Sequence, residues 1–129
     1  MNSNAYFREY SARAASGSAV LPRCGHCSTV FMPPRAACPE CGAADPGWMP
    51  ANGAAGTLYS FTVMGEGAQE RIIGLAELDA ITDGSKFYAQ LLCDDTSQLT
   101  MGAAVTVGTA DLGSGELVPV LTLRGAGND

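Results

Sequence analysis

At 129 residues, with 47% apolar and 16% charged side chains, the chain is sized for one globular unit or two small lobes sharing a core, which excludes a disordered polymer. No apolar run approaches the ~20 residues of a membrane span, and the opening MNSNAYFREY lacks the basic start and apolar stretch of a signal peptide. The expected setting is cytoplasmic, with no membrane partner, and the net charge of −6, divided as +3 over residues 1–35 and −9 over residues 36–129, opposes polyanion binding.

Residues 4–16, NAYFREYSARAAS, place Tyr6, Phe7, Tyr10 and Ala14 on one face at helical spacing, with Gly17 as the stop. A short amphipathic helix is predicted. Its length is marginal for an isolated helix, so the aromatic face has to dock on this chain or on another subunit.

Next comes RCGHCSTVFMPPRAACPECG, residues 23–42, in which Cys24-x2-Cys27 and Cys38-x2-Cys41 are separated by ten residues. Thiols in a reducing cytosol point to metal or catalysis before disulfides. Each CxxC can form a tight turn aiming two sulfurs at a common point, and two such turns supply a tetrahedron. Four soft thiolates suit Zn²⁺ and leave no position open for water, the mark of a structural site. Gly42 permits a positive φ, which lets backbone N–H groups turn toward the sulfurs.

A redox dithiol at Cys24 and Cys27 would need a helix N-terminus to lower the thiol pKa. The following STVFMPP is strand and turn material instead. Ligand type alone also allows iron, and Cys38-Pro39-Glu40-Cys41-Gly42 looks like half of a rubredoxin site. His26, between two cysteines, reads as a solvent-facing turn residue. Cys93, at the end of FYAQLLC, reads as a small buried apolar residue, because His26 is the only histidine that could activate it.

From Gly53 the pattern turns to period two. TLYSFTVM, residues 57–64, puts Tyr59, Phe61 and Val63 on one face and Leu58, Ser60, Thr62 and Met64 on the other. Further strands are predicted at 72–79, 86–93, 103–108 and 117–123, each bounded by Gly, Asp or Ser turns. Five short strands suggest a small closed barrel, with Pro119 placing the last at an edge or bulge. RGAGND, from residue 124, reads as a loose tail.

The order of these features is similar to the zinc-ribbon/OB-fold proteins, a domain of unknown function found beside thiolases and other acyl-CoA enzymes. The resemblance rests on the aromatic helix around Tyr6 to Tyr10, Cys24 and Cys27, Pro34-Arg35, Cys38-Pro39-x-Cys41-Gly42 and Trp48. It continues with Gly53-x-x-Gly56-Thr57-Leu58-Tyr59-Ser60-Phe61-Thr62 and Leu99-x-x-Gly102-x-x-Val105, so it covers most of residues 5–123. The chain departs from the family in the short segment 65–71 and around Ala103-Ala104.

The resemblance implies a mainly β fold: an N-terminal helix (1–20), a rubredoxin-like four-Cys zinc ribbon (21–50), a five-stranded OB-fold barrel (51–124) and a flexible tail (125–129). It implies structural Zn²⁺ on Cys24, Cys27, Cys38 and Cys41. In function it implies a non-catalytic accessory subunit that binds a thiolase or thiolase-like acyltransferase and helps form its acyl-CoA site, the catalytic groups lying in the partner. The chain's own residues agree, since no Ser/His/Asp set or phosphate loop is present. Arg23 and Arg35, flanking the metal turns, are candidates for the phosphates of a CoA thioester shared with that partner.

Two other functions compete. A barrel of this type can stack single-stranded nucleic acid on aromatics such as Tyr59 and Phe61, but Glu66, Glu70, Asp111 and Glu116 in the flanking loops would repel phosphate. A rubredoxin-like electron carrier would need a second redox centre, for which the sequence gives no sign.

Overall fold

The computed structural model describes residues 3–93 and 99–123, so the expected tail at 125–129 lies outside the described residues. In chain order the elements are helix α1 (Ser3–Ala15) and strands β1 (Val20–Arg23), β2 (Gly47–Pro50), β3 (Ala55–Met64), β4 (Arg71–Leu78), β5 (Phe87–Leu92), β6 (Ala104–Asp111) and β7 (Leu117–Leu123). The molecule is mainly β with one N-terminal helix, as the sequence predicts.

Helix α1 closes with a Schellman motif: the Ser18 N–H donates to the Arg13 carbonyl at 2.9 Å and the Gly17 N–H to Ala14 at 2.8 Å. Gly17 sits at φ +97, a conformation that glycine adopts without a Cβ clash. The predicted aromatic face divides. Tyr10 and Ala14 are buried and Tyr6 is half-buried, whereas Phe7 is 53% exposed. Tyr6, Tyr10 and Ala14 lie on one i, i+4 row, and Phe7 lies about 100° round the helix from Tyr6. The buried row docks on this chain. The Tyr6 hydroxyl donates to Asp45, and the Arg13 guanidinium lies 5.6 Å from the Trp48 ring centre.

β1 and β2 form an antiparallel two-stranded sheet from Val20↔Pro50 to Arg23↔Gly47. The other five strands form a closed barrel in the order β3-β4-β5-β7-β6, with β6 returning to β3. β5 and β7 run parallel and the remaining pairs antiparallel, which is the strand order of an OB-fold.

Strict alternation fails in β3. Leu58 pairs with Ala76 and Ser60 with Leu75, so Tyr59 is an extra residue on a β-bulge. The bulge reverses the faces: Leu58 is buried before it, and Phe61 packs against the core after it, with Tyr59 left 52% exposed. The two faces predicted for residues 57–64 are therefore each split by one inserted position. Pro119 is paired with Thr109 of β6, while the pairing of β7 with β5 starts only at Val120. Its missing N–H falls where the strand has one partner, so no ladder bond is lost.

Most of the buried apolar side chains make one cluster. It joins Tyr10 of α1, Leu21 of β1, and Val30 and Met32 between the CxxC pairs to Leu58, Phe87, Leu91, Val105 and Leu121 of the barrel. The barrel also holds the ribbon by polar contacts. The Thr82 hydroxyl accepts from the Val30 N–H and the Ser85 hydroxyl from the Met32 N–H, both at 3.0 Å, and the Thr82 N–H donates to the Val30 carbonyl at 3.0 Å.

Candidate metal centre

The two CxxC turns have the same construction. In the first, the Cys24 N–H donates to the Thr29 carbonyl and the Ser28 N–H to the Cys24 carbonyl, each at 2.9 Å. In the second, Cys38 to Ala43 and Gly42 to Cys38 repeat both bonds at 2.9 Å. Each turn needs a left-handed residue four places after its first cysteine: Ser28 at φ 68 and Gly42 at φ 78. Gly42 has the positive φ expected of it, its own N–H goes to the Cys38 carbonyl, and the next N–H, that of Ala43, reaches the Cys41 sulfur. The buried sulfurs accept from the N–H groups of His26 and Cys27 on Cys24, at 3.3 and 3.4 Å, and of Glu40 on Cys38, at 3.3 Å.

Ser28 carries a strain that its counterpart Gly42 avoids, since a side chain in the left-handed region costs on the order of 1 kcal/mol. Its hydroxyl lies 3.4 Å from Arg23 Nη2 and exposed, a contact of small compensating value. Ser28→Gly is therefore expected to raise stability by about 0.5–1 kcal/mol, read as a shift of the denaturation midpoint at constant m-value. A loss of stability would show that the hydroxyl contributes more than the strain.

The sulfurs of Cys24, Cys27, Cys38 and Cys41 all lie within 4.8 Å of one another, with Cys24–Cys41 and Cys27–Cys38 at 3.6 Å. A tetrahedral ion with metal–sulfur bonds of about 2.3 Å requires sulfur–sulfur edges of about 3.8 Å. The donor set fits one such ion and is closed at four. The separations are far beyond the ~2.05 Å of a disulfide. The first thiol of each pair is buried and the second exposed.

The electrostatics agree with a cation at the centre. The Cys27 N–H lowers the pKa of Cys24, and the Thr29 hydroxyl, 3.0 Å away, lowers that of Cys27. The Ala43 N–H also favours the Cys41 thiolate, but desolvation and the three neighbouring sulfurs outweigh it and push that thiol up to about 12. Four thiolates crowd this volume at a cost that a divalent ion removes.

His26 is exposed and its ring is outside the sulfur cluster, as a turn residue should be. Residues 25–27 are turn and Ser28 is left-handed, so Cys24 does not head a helix as a redox dithiol requires. Cys93 is half-buried and packs against the barrel core. Arg23 ends β1 and is exposed. Arg35 is half-buried, its guanidinium 5.9 Å from the Phe31 ring centre and its Nε 3.5 Å from the Pro33 carbonyl. The anchors Thr82 and Ser85 were not foreseen, because they lie 52 and 53 residues from the amides they hold and belong to no local pattern.

Residues 12–47 match the family model of the ChsH2 rubredoxin-like zinc ribbon domain. Among solved structures, the chain is similar to a chain of the Ltp2-ChsH2(DUF35) aldolase: 24% identity, a TM-score of 0.71 and 95% of each chain covered. It is also similar to a DUF35-family protein of unknown function from Sulfolobus solfataricus, at 14% identity and a TM-score of 0.56, covering 94% of this chain and 84% of that one. No curated protein matches the chain. The segment 12–47 is thus similar to the ChsH2-type rubredoxin-like zinc ribbon, and the chain shares the fold of the DUF35 proteins.

Proposed function

We propose that this protein is a non-catalytic accessory subunit that binds a thiolase or thiolase-like enzyme and helps form its acyl-CoA site. The observation that carries the reading is the likeness over 95% of both chains to a component of an Ltp2-ChsH2(DUF35) aldolase. Among the described residues, the cluster of potential metal ligands is the four-sulfur one, closed to substrate. The chain then supplies shape and charge, and the partner supplies bond-making groups. Of thiolysis, acyl transfer, hydration and retro-aldol cleavage, the aldolase likeness favours the last.

Zinc is the ion proposed for Cys24, Cys27, Cys38 and Cys41. It would pin the two turns together and neutralise their thiolates, with no open position for chemistry. An electron-carrying iron site is the competing occupant. Protein purified without added metal is expected to hold one zinc per chain and to be colourless, and red absorbance would overturn the assignment. The nucleic-acid reading is disfavoured by the exposed Glu66, Glu70, Asp111 and Glu116, and of its two stacking candidates only Tyr59 is exposed.

Arg23 and Arg35 are proposed to meet the CoA phosphates. Arg35 is the better prepared, since its contacts with Phe31 and Pro33 hold the guanidinium in place and reduce the entropy lost on gripping an anion. Co-expression with the products of the neighbouring genes should yield a hetero-oligomer with a thiolase-fold subunit. In that complex Arg35→Ala is expected to raise the acyl-CoA KM about tenfold with kcat little changed and zinc retained. An unchanged KM refutes the arginine's role, and thioester turnover by the isolated chain refutes the accessory role itself.

A further inference from the structure

Strand β3 runs past the seam that closes the barrel and leaves an open edge. β6 pairs with residues 55–57 alone, and the Leu58 N–H and C=O are taken by Ala103 and Gly102. Residues 60–64 pair with 71–75 of β4 on one side and, among the described residues, with no backbone on the other. Natural edges are ordinarily blunted by a charge or a proline, and the run SFTVM contains neither. Thr62, Val63 and Met64 are exposed.

The run is suited to pairing with itself. An antiparallel pair centred on Thr62 sets Thr62 against Thr62 of a second copy, Phe61 against its Val63 and Ser60 against its Met64. Threonine pairs and aromatic–β-branched pairs are stabilising across strands, and no like charges meet. Residues opposite one another share a face of the sheet, so Met64 of one copy falls on the Ser60 side of the other. There Ser60 lines a hollow of about 530 Å³ together with Tyr59, Gly102 and Met101, whose side chain is 72% exposed. The strand thus carries a projecting methionine on one side of Thr62 and a hollow at the same spacing on the other, as an isologous contact requires.

We infer that the open edge of β3 is a homodimer interface, in which two copies join residues 60–64 as antiparallel strands about a two-fold axis at Thr62. A strand from an unrelated subunit would find the same backbone groups without the matched methionine. The contact is small, so the dimer should be reversible, with a dissociation constant in the micromolar range. The inference concerns this chain alone and does not depend on the proposed enzyme partner.

Sedimentation of the zinc-loaded full chain, from micromolar to near-millimolar concentration, is expected to show a monomer–dimer equilibrium. Thr62→Lys and Thr62→Glu change an exposed side chain, so metal content and melting temperature should stay close to wild type. Each sets like charge against like at the axis and should weaken dimerisation about tenfold or more. An equimolar mixture of the two brings opposite charges together and should recover dimerisation to within about threefold of wild type. A chain that stays monomeric throughout overturns the inference and leaves the edge to another subunit. A dimer indifferent to both substitutions overturns it as well, as does a mixture that dimerises no better than its components.

Discussion

Cys38→Ser is expected to release the bound ion and melt the ribbon, the largest effect of any single change proposed for this protein. Cys38 Sγ accepts from the Glu40 N–H, lies 3.6 Å from Cys27 Sγ and is buried, so a serine oxygen would replace one of the four donors with one of the wrong softness for the ion. Structural zinc contributes on the order of 10 kcal/mol of apparent binding energy at neutral pH, and in a ribbon this small that energy is folding energy. The damage should spread. Val30 and Met32, between the two CxxC pairs, belong to the same core cluster as Leu58 and Phe87 of the barrel. The melting temperature of the whole chain should therefore fall, together with metal content, and the wild type should behave likewise under a strong chelator. A variant that kept one zinc and an unchanged melting temperature would show that three thiolates suffice.

Gly56→Ala is the second large effect, and it tests barrel closure instead of the ribbon. Gly56 pairs with Leu78 of β4 on one side and Val105 of β6 on the other, at the seam where the barrel meets itself. A Cβ there would lie 2.3 Å from the Glu77 carbonyl oxygen and 2.9 Å from Leu78 Cα, both backbone atoms that cannot swing away. Overpacking of this kind costs about 3 kcal/mol. For a domain of this size that corresponds to a fall in melting temperature of roughly 10 °C or more. Gly108→Ala is the control: it lies in β6 at the position paired with Val120, and an added Cβ meets nothing within 4 Å. It should be neutral or slightly stabilising. Equal losses from both substitutions would mean that the close approach at Gly56 does not set the cost.

Much of this molecule is written in local patterns. The five barrel strands fall within a few residues of where period-two alternation and turn residues place them, and α1 is displaced by one position. The metal turns are legible because CxxC places two sulfurs on one tight turn whatever surrounds it. Local pattern failed at Tyr59, where one inserted residue reverses the faces of β3, and at Phe7, one position away from the row that docks. Both failures concern facing. A sequence shows that apolar residues recur, but the partner strand or helix selects which of them are covered.

By itself, then, the chain's sequence determined α1, the five barrel strands, the four-cysteine cluster and the family likeness, but not β1 and β2, because each of the former depends on spacings of a few residues and on side-chain chemistry that needs no context. Only the tertiary structure decided that Ser28 takes the left-handed role opposite Gly42, that β1 pairs with β2, and that Thr82 and Ser85 hold the ribbon to the barrel. These features join groups separated by tens of residues, and the free energy of each depends on which neighbours exclude water from it, a quantity that exists only once the chain has closed on itself.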